Sequence, residues 1–279
     1  MIDSSDGWIV NDEFKSPAFL LANKGYDVWL GNSRGNKHSR KHVKLNPDKD
    51  KEFWEFTFQH MGQYDQPANF KYIYNITKQK IHYLGHSQGT VQMFIALSMQ
   101  NPVIEAYLDK YFAFGPVAYL KHSRSHLVDL LDKSGLLFWY HLRGIHEFMP
   151  SLKWFETDEG IAFCSAFPKV CGDFMTQICD GDASLDNYER YDVLVGHDPS
   201  GTSVMNMAHW KQLFDHGNFQ AYDYGSAKLN EQHYGQSIPP AFDLGKIRVP
   251  IRLFAGASDL LADPSDVDFL WKSLSPEYK

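Results

Sequence analysis

Short apolar runs alternate with amphipathic stretches along the first half of the chain, a pattern typical of repeated strand and helix units. The runs at 26–30, 81–84 and 111–114 predict strands, and the spacing at 65–77 and 90–99 predicts helices. Aspartate at position 65 is expected to cap the first of these helices. Strands that alternate with helices predict an α/β fold built on a mostly parallel sheet.

This rhythm stops after the third strand and returns near the end of the chain. From about Tyr119 to Leu244 the sequence is irregular and rich in aromatic residues, whereas 249–254 again predicts a buried strand and 264–274 a helix. We therefore interpret 1–118 as the first part of a core, 119–244 as an inserted, mainly helical cap, and 245–279 as the second part of the core.

Composition and charge narrow the classes of partner. The 279 residues are 43% apolar and 22% charged, as expected for one large globular domain with an insertion. The formal charge of −7 disfavours a nucleic-acid partner. No apolar run reaches the ~20 residues that span a bilayer, so no transmembrane segment is predicted in these residues.

The segment Gly85-His86-Ser87-Gln88-Gly89 lies between a predicted strand and a predicted helix. A nucleophile elbow needs this setting, because a tight turn there lifts the serine above the carboxyl edge of the sheet. Ser87 is the candidate nucleophile, and the N–H of Gln88 is the candidate oxyanion donor. Gly85 and Gly89 are expected to avoid steric collisions, and His86 to be a packing residue that supports the elbow.

A catalytic serine needs a base, and the base needs an acid to orient it. Asp259 follows the predicted strand at 249–254 and is the candidate acid, while Asp263 is better placed to cap the next helix. Asp259 is therefore expected to be free of a capping role. None of the 13 histidines follows Asp259, so the catalytic histidine is predicted to lie outside this sequence.

Three cysteines and one sequon bear on the cellular compartment. Cys164, Cys171 and Cys179 have spacings that are poor for zinc. A short-loop disulfide with one remaining thiol would indicate an oxidising compartment, and three free thiols a cytosolic protein; spacing leaves both open. Asn75-Ile76-Thr77 is a candidate N-glycosylation site.

Seven collinear segments resemble the acid lipase family, which includes gastric lipase and lysosomal acid lipase. The matching segments are Gly31-Asn32-Ser33-Arg34-Gly35-Asn36, Glu52-Phe53-Trp54-Glu55-Phe56, Tyr64-Asp65-Gln66-Pro67-Ala68, Gly85-His86-Ser87-Gln88-Gly89, His197-Asp198-Pro199-Ser200-Gly201-Thr202-Ser203, Gln220-Ala221-Tyr222-Asp223-Tyr224-Gly225 and Asp259-Leu260-Leu261-Ala262-Asp263-Pro264.

The resemblance implies an α/β-hydrolase fold with a lidded cap, and hydrolysis of acylglycerols or cholesteryl esters at a lipid–water interface without a cofactor or metal. It assigns Ser87 as nucleophile, Asp259 as acid and Gln88 to the oxyanion hole. It also implies a disulfide, for which Cys164 with Cys171 is our choice, and secretion or lysosomal residence.

The chain departs from the family pattern at both ends. Family members have a His-Gly loop that would precede Met1 and a His-x-Asp segment that would follow Lys279, so the sequence is expected to be a fragment with impaired catalysis. A non-catalytic lipid-binding or regulatory protein is the alternative function, and a serine peptidase is disfavoured.

Overall fold

The computed structural model describes residues 1–125, 135–149 and 187–279. The chain forms two compact units, one of residues 1–55 with 140–204 and the other of residues 56–139 with 205–279. The predicted cap, 119–244, thus has residues in both units, and its boundaries stay a prediction.

Five strands lie in the described residues: β1 (Ile81–His86), β2 (Leu108–Phe114), β3 (Glu147–Phe148), β4 (Thr202–Ser203) and β5 (Ile251–Phe254). The α-helices described are α1 (Pro17–Asn23), α2 (Phe58–His60), α3 (Gln66–Thr77), α4 (Gln88–Ser98), α5 (Pro102–Tyr107), α6 (Leu136–Leu142), α7 (Tyr191–His197), α8 (Val204–His216), α9 (Ala227–Tyr234) and α10 (Pro264–Ser273). A π-helical turn, Met61–Asp65, joins α2 to α3.

The unit of residues 56–139 and 205–279 is built on a parallel sheet in the order β1-β2-β5. Helix α4 forms much of its core, because its apolar side chains are at most 1% exposed. Parallel strands end at the same edge of a sheet, so the segments that follow β1, β2 and β5 meet at one edge. The predicted α/β fold with a parallel sheet is confirmed.

The strands predicted at 81–84, 111–114 and 249–254 are confirmed to within a few residues, as are the helices at 90–99 and 264–274. The strand predicted at 26–30 is wrong, because the structure has no strand there. Tyr26, Trp29 and Leu30 are 57%, 39% and 39% exposed. An apolar run becomes a strand only when a neighbouring strand completes its ladder, and local pattern carries no information about that neighbour.

The helical segment that was expected to begin at Asp65 begins at Phe58. Thr57 is the true cap: its side chain accepts a hydrogen bond from the backbone of Gln59, while the Nδ1 atom of His60 accepts one from the backbone N–H of Thr57. Asp65 has helical backbone angles and makes no capping hydrogen bond. The predicted capping role of Asp65 is therefore wrong.

The unit of residues 1–55 and 140–204 contains the antiparallel pair of β3 and β4 and a charged cluster around Asp6. The carboxylate of Asp6 lies 2.9 Å from Lys37 Nζ, 3.0 Å from His38 Nε2 and 2.9 Å from His197 Nδ1. Burial alone would raise the pKa of Asp6, but hydrogen bonds from these three side chains hold it well below its usual range. The cluster thus joins three separate segments of this unit.

Candidate active site

Ser87 occupies the sharp turn between β1 and α4. Its backbone has φ +50° and ψ −116°, a conformation that residues with a Cβ atom rarely adopt. Such strain costs ~1–3 kcal/mol and persists where the surrounding structure fixes it. The N–H of Ser87 donates to the carbonyl oxygen of Phe114 at 3.0 Å, which ties the turn to the end of β2. The serine is half-buried.

The two glycines of the elbow have different steric roles. A Cβ atom at Gly85 would lie 2.9 Å from the backbone carbon of Gly89 and 2.9 Å from Cε1 of Tyr83, so a larger residue does not fit. A Cβ atom at Gly89 would meet only the hydroxyl of Tyr83, at 3.5 Å, an ordinary contact. The steric reason expected for both glycines holds for Gly85, whereas the structure leaves room for a methyl group at Gly89.

The first turn of α4 is fixed by side-chain donors from the sheet and from the helix itself. The carbonyl of Ser87 accepts from Thr90 Oγ1 at 2.6 Å, that of Gly89 from the Tyr83 hydroxyl at 3.0 Å, and that of Thr90 from the Tyr111 hydroxyl at 2.9 Å. Burial raises the pKa of both tyrosines, so both phenols keep the proton that they donate. The elbow therefore rests on a rigid frame.

The side chain of Gln88 is buried and takes part in a polar network that sequence reasoning missed. Its Oε1 atom accepts from Asn206 Nδ2 and from Trp210 Nε1, each at 2.8 Å, and its Nε2 atom donates to Met61 Sδ at 3.4 Å. Asn206 and Trp210 are neighbours on one face of α8, one turn apart. The helix that follows the serine is thus anchored to α8.

Asp259 follows β5 and uses one carboxylate oxygen in its own turn. Oδ1 accepts from the N–H of Leu261 at 2.9 Å and of Ala262 at 2.8 Å. Oδ2 lies 3.6 Å from the position that a Cβ atom would take on Gly115, the residue after β2. Neither amide belongs to α10, so Asp259 does not cap that helix, as expected. Asp263 caps α10 as predicted, because its side chain accepts from the N–H of Ser265 at 2.8 Å.

The packing role that was expected of His86 stays a prediction. Its side chain is exposed, and its Nε2 atom lies 3.8 Å from the same Cβ position on Gly115 that Asp259 approaches. His86 and Asp259 therefore border a common surface at the carboxyl ends of the three strands. Gly115 has φ +52°, a conformation that favours glycine.

Comparison with known proteins identifies the family. A model of the alpha/beta hydrolase fold matches residues 2–108. Gastric triacylglycerol lipase of Rattus norvegicus is 42% identical over 278 residues, which are 99% of this chain and 69% of the relative. The human gastric enzyme is also 42% identical, over 98% of this chain and 69% of its own length. Human lysosomal acid lipase/cholesteryl ester hydrolase is 39% identical, over 97% of this chain and 67% of its own length.

This chain belongs to the acid lipase family. This result confirms the resemblance drawn from the seven collinear segments. The family is one of carboxylic ester hydrolases. The catalytic and binding roles of Ser87, Gln88 and Asp259 within this acid lipase stay predictions.

The remaining candidate positions of this acid lipase lie away from the elbow or outside the described residues. Cys164 and Cys171 fall in the latter group. Asn75 is exposed in the last turn of α3. The parts of the chain that the structure describes contain no group of three His, Cys, Asp or Glu side chains that could hold a metal ion. In the same residues, no helix combines the length and apolar character needed to cross a membrane.

Proposed function

We propose that this acid lipase is a serine carboxylic ester hydrolase that cleaves acylglycerols or cholesteryl esters through an acyl-enzyme on Ser87. The observation that carries the proposal is the backbone of Ser87, at φ +50°, between a parallel strand and the buried helix α4. A serine in this strained turn presents its hydroxyl to a substrate above the sheet. The names of the relatives support the two substrate classes.

The chemistry follows from the arrangement of these groups. Ser87 Oγ attacks the ester carbonyl carbon while a base takes its proton, and the carbonyl oxygen becomes an oxyanion that the N–H of Gln88 stabilises. The base then protonates the departing alcohol as its C–O bond breaks, leaving an acyl group on Ser87. Water, deprotonated by the same base, releases the carboxylic acid and restores the serine.

Asp259 is proposed as the acid that orients the base. Hydrogen bonds from two backbone amides hold Oδ1, so the orientation of the carboxylate is fixed and Oδ2 is turned toward Gly115. An imidazole that approaches from that side would donate its Nδ1–H to Oδ2 and face Ser87 with its other nitrogen. The family resemblance assigns this imidazole to a His-x-Asp segment.

Secretion or lysosomal residence completes the proposal. The names of the relatives are those of gastric and lysosomal enzymes. In such compartments the Cys164–Cys171 disulfide could form and Asn75 could carry a glycan. A lipid–water interface is then the proposed place of action.

Ester hydrolysis with an external base tests the proposal on this chain. Imidazole is added as the base, and the butyrate released from tributyrin is titrated. Ser87→Ala gives the background hydrolysis by imidazole itself, and Ser273→Ala, a serine at the end of α10, is the matched control. We expect wild type and Ser273→Ala to release butyrate faster than Ser87→Ala. Equal rates in all three proteins, with all three folded, would refute Ser87 as nucleophile.

A further inference from the structure

We propose that Asn206 and Trp210 of α8 are positioning residues for the oxyanion hole. They anchor the side chain of Gln88, and the backbone N–H of Gln88 stabilises the developing negative charge. The inference rests on the proposed function of Ser87 and Gln88. It extends that function to a helix that lies more than a hundred residues further along the chain.

Gln88 has one orientation available in this network. A side-chain amide oxygen has two lone pairs, and those of Gln88 are both used, by Asn206 Nδ2 and Trp210 Nε1 at 2.8 Å each. The Nε2 atom of Gln88 points at Met61 Sδ, and only 6% of the residue is exposed. Rotation of the side chain would leave two buried donors without their acceptor, which is costly in a low-dielectric interior.

The two anchoring residues are themselves fixed. Asn206 and Trp210 are fully buried, and Asn206 Oδ1 accepts from the backbone N–H of Phe58 at 2.6 Å, at the first residue of α2. The Phe58 ring packs against the Trp210 ring with centroids 4.9 Å apart. Helices α2, α4 and α8 are thus joined in one network of buried polar groups, and such networks hold their members in a single arrangement.

The network holds Gln88, the residue whose backbone N–H must be placed accurately to stabilise the oxyanion. Gln88 is the first residue of α4, where the N–H has no partner within the helix and can point at an anion. It follows the strained Ser87, so its anchored side chain adds to the hydrogen bonds that hold this turn. Because an oxyanion donor must lie ~2.7–3.1 Å from the charged oxygen, a small displacement costs rate. Misplacement by ~1 Å can cost ~100-fold.

The test compares two buried glutamines on the same helix. Gln88→Met removes the acceptor of Asn206 and Trp210 but keeps the backbone N–H. Gln92→Met is the matched control, since Gln92 is also buried on α4 and its amide bonds Gln66 and Met61. The readout is the rate at which a fluorophosphonate modifies Ser87 with imidazole as external base, measured beside the melting temperature.

We expect Gln88→Met to react at least ~10-fold more slowly than wild type, a part of the ~100- to 1000-fold effect of a lost oxyanion donor. Gln92→Met should lower the melting temperature and keep the wild-type rate. Should Gln88→Met fail to fold, Trp210→Phe, which removes a single donor and keeps an aromatic ring, should slow the reaction.

Two outcomes overturn the inference, and they are distinguishable. If Gln88→Met, or Trp210→Phe in its place, reacts at the wild-type rate while wild type is modified at Ser87, the positioning role is wrong and the hydrolase proposal stands. If wild type is modified no faster than Ser87→Ala, the proposed function fails and this inference fails with it.

Discussion

His209, a neighbour of Trp210 on α8, should make the folded protein lose stability in mild acid. Its ring is fully buried and stacks on the ring of Phe58, with the two centroids 4.0 Å apart. Its Nε2 atom lies 3.0 Å from the carbonyl oxygen of Gln220. The other nitrogen, Nδ1, has no hydrogen-bond partner among the described residues. Burial lowers the pKa of His209 from 6.5 to about 3. The imidazole is therefore neutral in the folded protein at any pH above that value.

The sign and size of the effect follow from this shift. Below pH 6.5 the unfolded chain binds a proton at His209 that the folded chain does not bind. The free energy of unfolding is therefore unaffected by His209 above pH 6.5 and decreases as the pH falls from 6.5 toward 3. Each pH unit in that window costs about 1.4 kcal/mol. Lowering the pH from 7 to 5 should thus cost about 2 kcal/mol through this one residue.

Urea unfolding at pH 7 and pH 5, followed by circular dichroism, measures the effect as a difference between variants. His209→Gln keeps an N–H donor for the carbonyl of Gln220 but does not titrate, so its free energy of unfolding should change less between the two pH values, by about 2 kcal/mol. His216→Gln, an exposed histidine on the same helix, is the control and should follow wild type. Equal pH dependence of wild type and His209→Gln would refute the argument.

Three further predictions concern the elbow, the first helical cap and the acid. Gly85→Ala should destabilise the protein by ~1–3 kcal/mol through overpacking, whereas Gly89→Ala should be neutral or gain up to ~1 kcal/mol of helix propensity, and thermal melting separates the two. Thr57→Ala should cost ~1 kcal/mol by removing the cap, and a urea midpoint equal to that of wild type would contradict the assigned helix start. Asp259→Asn keeps the Oδ1 acceptor, so its melting temperature should match wild type while imidazole-supported butyrate release falls by about tenfold or more, less than the ~10⁴-fold loss in an intact triad.

The features that the sequence predicts well are those that depend on residues close together along the chain. A short apolar run, Gly85 to Gly89 and an apolar helix together specify β1, the turn at Ser87 and α4, because each part constrains the next over a few positions. Asp263 as a cap belongs to the same class, since its side chain bonds a backbone amide two residues away.

The features that were missed depend on distant residues or on a weaker local signal. Asn206 and Trp210 are 118 and 122 positions from Gln88 along the chain. A local sequence pattern does not predict hydrogen bonds between residues so far apart. The strand predicted from Tyr26 failed for the same reason, because pairing depends on a neighbour elsewhere in the chain. The cap at Thr57 had a local signal, but His60 stands where the usual capping box has Glu or Gln.

The central claim is that the turn between β1 and α4 holds a reactive serine where an acyl carbon can reach it. Site mapping by peptide mass spectrometry, after treatment with a fluorophosphonate and imidazole, tests this claim most directly. The account predicts a covalent adduct on Ser87 and none in Ser87→Ala. A folded wild-type protein that carries no adduct on Ser87, or carries it on other serines alone, would contradict the account.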